Sequence, residues 1–193
     1  MTDRSLDNAA TEDPPPAFAL TTGRTLGYHR AAVDTFLVSA RKAFELGGDQ
    51  LEAADVRTAS FPLVKGGYVV ADVDAALGRV EDAFAARERE RVVRARGAGA
   101  WVEQAREDAQ TILDHLARPA RHRFARSGVL TFGYRVDEVD HVATRIVRYL
   151  RDGDALTAEQ LRSAAFRMQR GGYREEQVDA LLDATIDVIL AVR

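Results

Sequence analysis

Gly27-Tyr28-His29-Arg30-Ala31-Ala32-Val33-Asp34 is the first of four stretches in which Gly-Tyr is followed, after four residues, by Val-Asp. The others are Gly67-Tyr68…Val73-Asp74, Gly133-Tyr134…Val139-Asp140 and Gly172-Tyr173…Val178-Asp179. The spacing never varies, and four of the chain's five tyrosines fall in it. Recurrence at fixed geometry means one structural unit used several times, so the repeat decides the fold.

Downstream of each Val, apolar residues recur at offsets of 0, 4, 7 and 11. They are Val33, Leu37, Ala40 and Phe44, then Val73, Leu77, Val80 and Phe84. The third copy gives Val139, Ala143, Ile146 and Leu150, and the fourth Val178, Leu182, Thr185 and Ile189. Those offsets place the side chains on one face of an α-helix, in a seam like that of a coiled coil. Upstream, Phe18, Phe61, Phe124 and Phe166 precede the glycines by 9, 6, 9 and 6 residues. Copies two and four share a further lead-in, Leu51–Arg57 and Leu156–Arg162. The alternation implies a pair of units, duplicated, with an extra segment between the pairs.

The remaining punctuation is helical. Gly47-Gly48 reads as a left-handed C-terminal cap, Thr157 as an N-cap, and Pro119 as a stop. Lys65-Gly66-Gly67 and Arg170-Gly171-Gly172 read as turns. No strand-like alternation competes, and the expectation is an all-α fold of five to eight helices with no sheet. The expected organisation is a disordered tail over 1–16 and a first repeat pair over 17–97. A connecting helix follows over 98–122, with Trp101 in its core, and a second pair over 123–193. Within a pair the two seam helices lie against each other, imitating inside one chain the two-fold symmetry of a homodimer. Parallel and antiparallel arrangements both stay open.

Each repeated residue has a structural reading. Glycine permits close approach at a helix start, where a Cβ would clash. Tyrosine brings a large ring and a hydroxyl that needs a partner or water. Valine opens the buried stripe. Aspartate sits near a helix N-terminus, favoured by the helix dipole, and can accept from N–H groups of the preceding loop. An acid needed once for catalysis would not recur four times.

Bulk properties narrow the function classes. A net charge of −3 selects neither nucleic acid nor an acidic ligand. The absence of cysteine removes disulfide and thiol chemistry and fits a reducing cytoplasm. No apolar run has the length of a membrane span or a signal core. His29, His115, His122 and His141 form no ligand-spaced cluster, and no glycine pair is followed by Lys-Ser/Thr. No enzyme activity, cofactor, metal or nucleic-acid partner is expected.

A Phe, then Gly-Tyr, then Val-Asp at this spacing, then an apolar helical seam, resembles the N-terminal domain of the bacterial DivIVA family. The resemblance extends over all four copies and is closest to the subgroup built of repeated short domains. It implies a scaffold at curved membrane, at poles and septa, that recruits division or cell-wall growth proteins and self-assembles as a homo-oligomer. It also implies loops that offer an apolar and a basic side chain to lipid. The family's loop commonly has an aromatic residue and an Arg directly before Gly-Tyr. Here those positions hold Thr25-Leu26, Lys65-Gly66, Thr131-Phe132 and Arg170-Gly171.

The expected function is therefore a scaffold or adaptor, cytoplasmic or peripheral on the inner membrane. Arg24, Leu26, Lys65, Val129, Leu130, Phe132 and Arg170 are the candidates for contact with an anionic membrane or a partner. The alternative is a soluble protein-interaction module without lipid contact. For that reading the basic stretch Arg118, Arg121, Arg123 and Arg126 is the favoured surface for an acidic partner, and Arg87–Arg96 is a second, mixed in sign.

Overall fold

Two residues after each repeated tyrosine a long helix begins: α1 (Arg30–Leu46), α3 (Val70–Arg96), α5 (Val136–Asp152) and α7 (Glu175–Ala191). Their seams are inside, with Val33, Ala40, Val73, Phe84, Val139, Ile146, Val178 and Ile189 all buried. These helices belong to a computed structural model that describes residues 16–47 and 50–192. The expected disordered tail lies outside the described residues, except for Pro16. Two short helices, α2 (Ala53–Arg57) and α6 (Ala158–Arg162), sit in the lead-ins, and α4 (Ala98–Leu116) follows α3 after Gly97. Thr157 caps α6 in a full capping box with Gln160.

The expectation of an all-α chain with no sheet is overturned. The Gly-Tyr stretches of copies one and three are β-strands, β1 (Leu26–Tyr28) and β3 (Phe132–Tyr134). Each pairs antiparallel with a strand just ahead of the next copy's glycines, β2 (Leu63–Lys65) or β4 (Met168–Arg170). The registers match: Leu26 faces Lys65 and Tyr28 faces Leu63, as Phe132 faces Arg170 and Tyr134 faces Met168. Strands of three residues are too short to show a two-residue period, and glycine in their middle imitates a turn.

The glycine's role is corrected as well. A Cβ on Gly27 or Gly133 would overlap the carbonyl oxygen of Tyr68 or Tyr173, not a helix start. A Cβ on Gly172 would lie 2.5 Å from the carbonyl oxygens of both Gly133 and Tyr134. Bare backbone is needed where two repeats touch.

The described residues divide into two compact units. The first holds the residues up to Leu51 with Asp55–Leu77, and the second Glu52–Ala54 with everything from Gly78 on. The division falls inside α3. The first unit contains β1, α1, β2 and the opening turns of α3. In the second, Ile112 and Leu116 of α4, Phe124, Val139 and Ile146 of α5, Leu161 of α6 and Leu182, Ile186 and Ile189 of α7 share one core. There α4 lies against both α5 and α7, and α6 against α7. Arg162 of α6 clasps the part of α3 that belongs to this unit, with Nε 2.7 Å from Glu81 and Nη2 2.8 Å from Asp82.

Candidate docking face of each repeat pair

The centre of each unit is a pair of tyrosines facing each other. The N–H of Tyr28 donates to the carbonyl of Tyr68 at 2.9 Å, and the N–H of Tyr68 returns the bond at 2.9 Å. Tyr134 and Tyr173 do the same, at 2.9 Å each way. This mutual exchange marks a local two-fold relation between the copies of a pair.

The side chains are exchanged too. The Tyr68 hydroxyl donates to Asp34 at 3.0 Å, and that of Tyr28 bonds Asp74. The Tyr173 hydroxyl donates to Asp140 at 3.3 Å, and that of Tyr134 to Asp179 at 3.4 Å. Each tyrosine thus meets the aspartate of the other copy. The phenylalanines cross over likewise: Phe18 packs on Tyr68 at 5.2 Å and Phe61 on Tyr28 at 5.3 Å. Phe124 packs on Tyr173 and Phe166 on Tyr134, each at 5.1 Å. The expected bonds from loop N–H groups to the aspartates occur at Asp140, which accepts from the Arg121 N–H at 2.6 Å. Exchange between copies was absent from the sequence reading, although every copy carried both halves of the bond.

These bonds hold Tyr28 and Tyr134, and beside each of them the same face of the ribbon carries side chains left exposed. Alternation along a strand sends Gly133 and Gln169 one way and Phe132, Tyr134, Met168 and Arg170 the other. Phe132 is 54% exposed and Met168 48%, and Val129 and Leu130 on the loop before β3 reach 86% and 85%. The Arg170 guanidinium stands over the Phe132 ring, 5.6 Å from its centroid. In the first unit Leu26 and Leu63 are exposed at matching positions, with Lys65 opposite Leu26 in the register. Arg24 is exposed on the turn before β1. Of the seven candidates for membrane or partner contact, Leu26 with Lys65 and Phe132 with Arg170 are therefore brought together. Each apolar–cation pair is assembled from two copies, which is why no single copy spells it out.

Of the basic stretch Arg118–Arg126, Arg123 is turned inward, while Arg118, Arg121 and Arg126 are exposed and bonded to their own surroundings. Arg123 is mostly buried, 3.6 Å from Asp140, and donates to the Asp140 carbonyl at 3.0 Å. Arg126 lies over the Tyr173 ring at 5.2 Å and donates to the Gly171 carbonyl at 2.9 Å. Arg118 bonds the Arg123 carbonyl at 3.3 Å, and Arg121, with a positive φ, reaches Asp137 at 3.7 Å. The four arginines tie their loop to the Tyr173–Asp140 node. Trp101 is partly buried and donates from Nε1 to the Ala191 carbonyl at 3.0 Å.

Burial, with Asp74 or Asp179 beside the hydroxyl, pushes Tyr28 and Tyr134 above the ordinary tyrosine range. Burial raises Tyr173 too, with Asp140 adding to it and the Arg123 N–H and Arg126 opposing. No helix among the described residues is long and apolar enough to cross a membrane. Comparison with family models, with curated proteins and with solved structures finds no match for this chain.

Proposed function

We propose that this chain is a non-enzymatic scaffold or adaptor of bacterial cell division or polar growth, docked on the anionic inner face of the membrane through its exposed ribbon faces. It would act as a peripheral protein at pole or septum. The observation that carries the reading is the apolar–cation pair repeated at one register position in both sheets, Leu26 with Lys65 and Phe132 with Arg170. Exposed apolar side chains enter the acyl boundary, while each cation near an anionic surface contributes about 1 kcal/mol. The cellular setting comes from the resemblance of the Gly-Tyr…Val-Asp turns to the DivIVA N-terminal domain.

Co-sedimentation of the full chain with phosphatidylglycerol vesicles tests the proposal. Phe132 is half exposed, so Phe132→Ala leaves the core intact. Losing its burial in lipid lowers the partition coefficient roughly tenfold, from about 1.5 kcal/mol of apolar contact. No pelleting, or pelleting indifferent to Phe132→Ala and Arg170→Gln, would sink the lipid reading.

A further inference from the structure

The two repeat pairs differ at one place where the fold does not require it. Counted from the repeated tyrosines, Phe36 of α1 corresponds to Val142 of α5, and Phe61 to Phe166. In the first unit the Phe36 ring packs edge-on against Phe61, with centroids 5.6 Å apart. In the second, the shorter valine stands in that position. A groove of about 430 Å³ opens there, floored by Val142, Ala164 and Phe166.

Its rim has also changed character. Arg135, His141 and Arg145 border the groove where the first unit has His29, Thr35 and Ser39. The acidic side chains at the rim are answered locally, Glu138 by Arg167 and Asp137 by Arg121. The side chains of Arg135 and His141 make no hydrogen bond among the described residues, and Arg145 bonds the neutral Gln160 at 3.0 Å. The groove thus combines a partly uncovered aromatic floor with Arg145, which no carboxylate pairs, and Arg135, which acts on Glu138 only at longer range.

We propose that this groove docks an extended segment of a partner protein carrying an aromatic side chain flanked by carboxylates. The first unit shows what suits the space, since there the ring of Phe36 packs edge-on against Phe61, the counterpart of Phe166. The partner's ring takes that place on Phe166, edge to face, and its carboxylates meet Arg135 and Arg145 in charge-assisted bonds. The volume falls in the range of roughly 300–1,000 Å³ usual for recognition clefts. A concave floor behind a charged rim suits an inserted side chain, whereas a bilayer needs a protruding apolar face. The site uses residues other than the exposed ribbon face and stands independently of the lipid reading.

The test is fluorescence anisotropy of a labelled, end-blocked Glu-Glu-Phe-Glu-Glu peptide titrated with the full chain. Saturable binding is expected, weaker by at least about tenfold when alanine replaces the phenylalanine, a change of roughly 1.4 kcal/mol. Val142→Phe rebuilds the packing of the first unit and is expected to weaken binding by a similar factor with the melting temperature kept. Should that variant fail to fold, Arg135→Gln with Arg145→Gln at the rim carries the test, expected to weaken binding and flatten its salt dependence. Equal binding of the alanine peptide, full binding by a folded Val142→Phe, displacement of the peptide by phosphatidylglycerol vesicles, or no binding at all would overturn the proposal.

Discussion

Tyr134 and Asp179 lie 45 positions apart, yet their bond is the same one that Tyr28 makes with Asp74. A hydroxyl that is partly buried and set against a carboxylate resists ionisation, because losing its proton would leave two anions in contact. For Tyr28, Tyr134 and Tyr173 the folded value is raised above the ordinary 10.0. Between 10.0 and the raised values the native state holds protons that the unfolded chain has lost. The stability they contribute is therefore complete below pH 10 and is lost as pH rises through the folded values. Absorbance titration at 295 nm should show three of the tyrosines ionising late, with the delay abolished in urea. A single wave near pH 10 in buffer would contradict this. At this scale the sequence displayed the right residues but not their partners, because Tyr and Asp recur together in every copy and look self-sufficient. The bond between copies becomes visible only once the two tyrosines face each other.

The long helices were legible at the scale of elements because their seams repeat over three turns, and the 3.6-residue period has room to show itself. The strands were not, since each is three residues long and their pairing joins positions 34 or more residues apart. The Arg162 clasp was equally hidden, because nothing local ties Arg162 to Glu81. Glu81 is 1% exposed and has the Arg162 guanidinium at ion-pair distance. Arg162→Ala removes a guanidinium from a buried carboxylate and should cost roughly 3 kcal/mol in urea denaturation, as for other broken buried pairs. Arg41→Ala, at a fully exposed pair with Glu45, should change little. Equal effects from the two substitutions would show that the clasp does not hold α6 to α3.

For the whole molecule, the recurrence of Gly-Tyr…Val-Asp predicted a duplicated pair, and each described unit contains the sheet of one pair. The exposed ribbon faces were half legible. Leu26, Phe132 and Arg170 stood out beside the glycines, but their cross-strand matching needed the register. The Val142 groove had no positive signal, being the absence of a ring that the first unit keeps. The account holds that the ribbon faces, and not the helix flanks, meet an anionic surface. Hydrogen exchange of the full chain with phosphatidylglycerol vesicles, against phosphatidylcholine vesicles as the control, reads this directly. Slowed exchange confined to residues 127–134 and 168–170, and to their counterparts 24–28 and 63–65, is the predicted result. Unchanged exchange in those segments, or protection appearing along the helices instead, would contradict it.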